Sequence, residues 1–154
     1  MDLDKVINGL NRALSFEYAS VIQLSQHTYF MQGLERAAFA DMLREHAGAS
    51  LKHAQEIGDK IVTLGGVPTV EVAKISQSTD TTELLMQNLT QHHDVIAHLD
   101  GLLEDVAGDT PLRVMVEEMI YEEQQFAEEL ERALGLREIN VLEKEVEFRK
   151  VVGA

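Results

Sequence analysis

Apolar residues along the chain recur at alternating three- and four-residue intervals, the period of helices that bury one stripe in a bundle. A first stripe runs Leu10, Leu14, Val21, Leu24, Thr28 and Met31, with a polar break at Glu17. It predicts a helix over roughly 4–31 that stops near Gln32-Gly33. A second stripe, Phe39, Met42, His46, Ser50, His53, Ile57 and Leu64, predicts a helix over roughly 38–64. Gly65-Gly66 closes it, and Pro68 keeps it from resuming. Residues 65–80 have no helical period and carry turn formers. A third helix is expected over roughly 81–107 on Leu85, Leu89, Ile96, Leu99, Leu103 and Val106, interrupted at His92. The stretch "GDTP" offers Asp109 or Thr110 as N-cap and Pro111 in the first turn of a fourth helix, roughly 111–134. Its stripe is Leu112, Met115, Met119, Glu122, Phe126, Leu130 and Ala133. Gly135 ends it, and residues 138–150 have the spacing of a short fifth helix through Ile139, Leu142 and Val146.

The first and third connections are short, so each joins an antiparallel hairpin, whereas the second is long enough to run the length of a bundle. The fold expected is all-α: one four-helix domain over 1–154 with a long crossover between its second and third helices. Each helix carries a polar residue on its apolar stripe near its midpoint: Glu17, His53, His92 and Glu122. In such a bundle the four fall at one height and converge inside the core. An unpaired buried carboxylate costs several kcal/mol or takes up a proton, and a divalent cation compensates two at once. Glutamate oxygens and neutral histidine nitrogens suit iron, manganese and zinc. A polar network, Glu17 with His53 and His92 with Glu122, serving only to fix register, fits the same pattern. His46 shares the stripe of His53 but sits roughly 10 Å along the axis, outside one coordination shell. Adjacent helical residues point about 100° apart, so His93 faces away from His92.

Composition narrows the function. The chain has 154 residues, 26% charged and 45% hydrophobic, with two prolines and no Trp, as expected of an ordinary globular helical protein. A net charge of −14 argues against nucleic acid held on a basic surface. The absence of Cys removes thiolate metal sites and disulfides. No apolar run approaches the roughly 18 residues of a membrane span, and the start, "MDLDKVINGL", lacks the pattern of a secretory signal. A cytoplasmic protein with no membrane partner is the expectation.

"LNRALSFEYASVIQLSQH", "SLKHAQEIGDKIVTLGGVPTV" and "YEEQQFAEELERAL" resemble the first, second and fourth helices of bacterioferritins, within the ferritin-like superfamily. The likeness covers nearly the whole chain, including the crossover and the short C-terminal helix. It implies the ferritin-like fold and a homo-oligomer, with a cage of many subunits as one form. It also implies a di-iron ferroxidase centre built from Glu on the first helix, Glu-x-x-His on the second, Glu on the third and Glu-x-x-His on the fourth. Under that resemblance Glu17, His53 and Glu122 match. Ser50 stands where a bridging Glu is expected, His92 replaces the third-helix Glu, and Gln125 replaces the fourth-helix His. Leu51 occupies the position of the axial methionine of haem-binding members, so haem is not expected by that route.

Two metals held close together need bridging carboxylates, and only one candidate remains. The metal set expected is therefore Glu17, His53, His92 and Glu122, with Gln125, Ser50 and His46 as weaker members. The leading function is iron storage or homeostasis with a reduced or altered ferroxidase. A mononuclear zinc, manganese or copper bundle, and a metal-free structural subunit of a ferritin assembly, both remain open.

Overall fold

The computed structural model describes residues 1–136, and the expected fifth helix, 138–150, lies outside them. Four helices follow in order: α1 (Leu3–Phe30), α2 (Gly33–Thr63), α3 (Thr81–Leu102) and α4 (Thr110–Ala133). Aspartates cap three of them. Asp2 accepts from the Lys5 amide, Asp80 from Glu83 and Asp109 from Leu112, with Pro111 in the first turn of α4. The fold is all-α, with no strand among the described residues.

Two boundaries differ from the sequence expectation. Helix α2 begins at Gly33, five residues before the expected 38, because its first turn is exposed and carries no stripe to read. No side chain caps that turn; Arg36 within it ties back to α1, its guanidinium donating 2.8 Å to the Thr28 carbonyl at the end of that helix. Helix α3 stops at Leu102 rather than near 107, and tighter turns follow. There the Leu103 amide donates to the Asp100 carbonyl and Asp105 to Leu102, three-residue steps that still leave Val106 fully buried.

The crossover, Leu64–Asp80, lies along α1 as a strap. Asn11 donates to the Val67 carbonyl and accepts from the Thr69 amide at 2.7 Å, and the Ala73 amide donates to the Ser15 carbonyl. Further on, the Ser76 amide donates to Gln23 Oε1 at 2.8 Å. From Asn11 to His27 this spans roughly 24 Å of helix. The strap can start only because Gly66 has no side chain: a Cβ there would stand 2.7 Å from Ile7 Cγ2.

The core consists of two apolar blocks. One gathers Val6, Leu10, Leu14, Ile57, Ile61, Val95, Leu99, Leu112 and Val116. The other gathers Leu24, Leu43, Leu84, Leu85, Leu89, Ala127 and Leu130. Between them lies a layer of buried polar side chains contributed by all four helices.

Candidate metal centre

The polar layer contains Glu17 from α1, His46, Ser50 and His53 from α2, His92 from α3 and Glu123 from α4, each buried. Glu17, His53 and Glu123 each offer a ligand atom, and these atoms lie within 4.8 Å of one another. His53 Nδ1 stands 3.4 Å from Glu17 Oε1 and 3.4 Å from Glu123 Oε1. Its other nitrogen, Nε2, donates 2.7 Å to Glu122 Oε2. His92 Nδ1 donates to Glu123 Oε2 at 2.5 Å.

Glu122 is thus not the buried carboxylate of α4. Its side chain is 39% exposed, against 0% for Glu123. The stripe of α4 runs Leu112, Val116, Met119, Glu123, Phe126 and Leu130, one residue round from the expected Met115, Met119 and Glu122. Both tracks have three- and four-residue spacing. The second packs because Val116 fills the core completely while Met115 stays at its edge. The shift also moves Gln125 out of the site: it is exposed and donates to the Tyr121 hydroxyl. Phe126 stands in its place and packs on the His46 ring at 4.1 Å between centroids. Ser50 is fully buried one turn before His53, with its hydroxyl unpartnered. His46 is buried too, but Nε2 faces outward to Glu129 at 2.9 Å rather than joining His53. Leu51 lies half-exposed on the outside of α2.

Charge in the centre is finely divided. Burial, reinforced by the Glu123 carboxylate, pushes the Glu17 carboxyl up to about 7. Burial opposes a charge on His53, yet Glu123 and Glu17 outweigh it and raise the imidazolium to about 11. Burial likewise works against ionised Glu123, but His92 and His53 outweigh it and draw the carboxyl down to about 2. Four atoms still lack a hydrogen-bond partner: both Glu17 oxygens, His53 Nδ1 and Glu123 Oε1. Buried acceptors rarely go unpaired. One divalent ion among them would satisfy all four, and its charge would replace the protons on His53 and Glu17.

A model of the ferritin-like domain matches residues 7–139. The chain belongs to the ferritin-like domain family. Its fold is similar to that of a ferritin-like di-iron-carboxylate protein from Bacillus anthracis str. Ames, at 29% identity and a TM-score of 0.84, over 87% of this chain and 98% of that one. Bacterioferritin from Rhodobacter capsulatus is 26% identical with a TM-score of 0.82, over 86% of this chain and 85% of that one. A dodecameric thioferritin from Bacteroides fragilis shares the fold at 24% identity and a TM-score of 0.82, over 96% and 92% of the two chains. A nutrient stress-induced DNA-binding protein from a Synechococcus strain is 28% identical over 75 residues, 49% of this chain. That match takes in 43% of the relative's length.

Di-iron bundles use a Glu from each of two helices and Glu-x-x-His from each of the other two. In this ferritin-like chain the corresponding sets are Glu17 on α1, Ser50-x-x-His53 on α2, His92 on α3 and Glu123-x-x-Phe126 on α4. Only Glu17 and Glu123 supply buried carboxylates. The residues present fit one ion, held by two carboxylates and one imidazole, and not a carboxylate-bridged pair. His53 is oriented for that role, since Nε2–H on Glu122 leaves Nδ1 to face the centre.

Among the described residues no helix is long and apolar enough to cross a membrane.

Proposed function

We propose that this chain is a bacterioferritin-like metal-binding protein of iron storage or homeostasis, with one ion per subunit in place of a ferroxidase pair. The observation that supports this reading is the buried trio Glu17, His53 and Glu123, whose ligand atoms lie within 4.8 Å of one another and which hold four buried atoms without a hydrogen-bond partner. Two carboxylates and an imidazole suit iron(II), manganese(II) and zinc(II). A single iron(II) yields one electron, enough to take O₂ only to superoxide, an unfavourable step, whereas a pair supplies the two that reach peroxide. Oxidation at such a centre is therefore slower than at a paired one, and the ferroxidase is reduced rather than lost. A homo-oligomer, with a cage as one form, belongs to the same proposal; the thioferritin that shares the fold is named as a dodecamer. One relative carries DNA-binding in its name, but a net charge of −14 supplies no basic footprint, and no DNA partner is proposed.

The test is metal analysis of the purified protein, followed by anaerobic titration with iron(II) and exposure to air. Expected is one tight iron(II) per chain, abolished in Glu17→Gln and in His53→Ala, with slow oxidation in air. A tight non-iron metal that iron(II) does not displace would make the chain a mononuclear zinc, manganese or copper protein. Failure to bind any metal, together with a stability gain when Glu17 and His53 are made apolar, would make it a structural subunit.

A further inference from the structure

One ion at Glu17, His53 and Glu123 leaves part of the polar layer unexplained. Four more buried atoms have no partner: His46 Nδ1, His92 Nε2 and the hydroxyls of Ser20 and Ser50. They belong to one neighbourhood. The His46 and His92 rings meet edge to face, with centroids 5.3 Å apart and an interplanar angle of 76°. Phe126 covers both, at 4.1 Å from His46 and 5.8 Å from His92. Ser50 lies one turn from His46 on α2. Ser20 lies one turn after Glu17 on α1, buried like Ser50.

The two imidazoles are prepared in the same way. His46 Nε2 donates outward to Glu129 at 2.9 Å, so its lone pair is on Nδ1, facing inward. His92 Nδ1 donates to Glu123, so its lone pair is on Nε2, on the flank turned away from the first centre. These tautomers follow from the partner each nitrogen meets. A carboxylate on the far nitrogen is the arrangement that fixes the ring and raises the basicity of metal-ligating histidines. Two fully buried lone pairs with no donor facing them is a costly state that a cation or ordered water must relieve. Among the described residues no carboxylate meets either free nitrogen, those of Glu129 and Glu123 lying on the far ones, and this sets the preference. Imidazole nitrogen without oxygen anions favours copper and zinc, and in the divalent series copper(II) binds most tightly.

We propose that His46 and His92 form a second metal position, separate from the Glu17, His53 and Glu123 centre, that takes copper(II) in preference to iron(II). Ser20 and Ser50 supply hydroxyls to hold the water ligands that complete the coordination. This position does not depend on whether the first centre binds iron, because its donors are atoms that the first centre leaves unused.

The experiment uses metal-free full-length protein titrated with copper(II), in the wild type and in Glu17→Gln, Glu129→Gln and His46→Gln. Paramagnetic resonance is read for nitrogen couplings, and copper-loaded crystals are measured at the copper edge. The expected result is an anomalous peak between His46 and His92 and a nitrogen-coupled signal that survives Glu17→Gln. Glu129 is largely on the surface, so Glu129→Gln is a fold-neutral probe. It weakens the site about ten- to hundredfold while leaving the first centre's metal in place. His46→Gln removes the anomalous peak between the two rings. Density for water alone between the two rings in the copper-loaded crystal overturns the proposal, as does a copper affinity that Glu129→Gln leaves unchanged. Loss of metal from the first centre in Glu17→Gln, with the nitrogen-coupled copper retained, separates the two readings.

Discussion

A single residue step on α4 decides which carboxylate enters the core. Glu122 and Glu123 are adjacent in sequence, yet Glu123 meets His53 Nδ1 and His92 inside while Glu122 takes His53 Nε2 from the rim. Glu123→Gln removes a donor of the proposed ion and should abolish tight iron(II) binding in a calorimetric titration. Glu122→Gln removes only the carboxylate that orients His53 and should weaken binding about ten- to hundredfold. Equal effects would mean that both carboxylates bind. The sequence made three of the four convergent residues legible, Glu17, His53 and His92, because their helices offer one apolar track each. It left Glu122 and Glu123 unresolved because α4 carries two apolar tracks of equal period. The choice belongs to packing, where Val116 fills the core and Met115 does not. The run of four buried unpartnered atoms beyond the first centre was not legible at all, since it depends on which nitrogen of each imidazole meets a carboxylate.

At the level of the elements, the strap along α1 is held by a closed ring of hydrogen bonds. His27 Nε2 donates to the Ser76 carbonyl at 3.0 Å, and His27 Nδ1 accepts from Asn88 Nδ2 at 2.9 Å. Gln23 donates to Asn88 Oδ1 and accepts from the Ser76 amide. This ring requires a neutral His27, because a second proton would face the Asn88 amide hydrogens. Burial is the main cause holding the His27 pKa below its ordinary 6.5, with the Ser76 carbonyl partly offsetting it. The unfolded chain therefore binds more protons than the folded one as pH falls below 6.5, and stability falls with it. A urea midpoint that drops across that window, and drops less in His27→Gln, is the expected outcome. Gly66→Ala should cost about 1–3 kcal/mol through the clash with Ile7, read as a lowered urea midpoint. Helix order, the long crossover and Asp109 as one of two candidate caps were readable from period and punctuation. The start of α2 was not, because its first turn is exposed and carries no apolar stripe; the end of α3 was not, because three-residue turns keep Val106 on the stripe beyond it.

Across the whole molecule, the polar layer lies between two apolar blocks, and all four helices run through both. What occupies the layer adds to the stability that the two blocks supply. An ion binding the folded centre and not the unfolded chain stabilises by mass action, about 2.7 kcal/mol at a hundredfold excess over Kd. The thermal midpoint of the wild type should therefore rise with added iron(II) under anaerobic conditions. That of Glu123→Gln should not.

The strap is also the single covalent tie between the α1–α2 hairpin and the α3–α4 hairpin. At its exposed stretch Val67 and Val70 stand 82% and 91% open to solvent, within reach of a protease that cuts after aliphatic residues. A single nick there would produce two fragments, each a helical hairpin carrying half of the centre: Glu17 and His53 on one, His92 and Glu123 on the other. The protein is thus divisible into complementary halves. Metal bound across the cut would then report their reassembly, one ion linking two chains that no peptide bond joins.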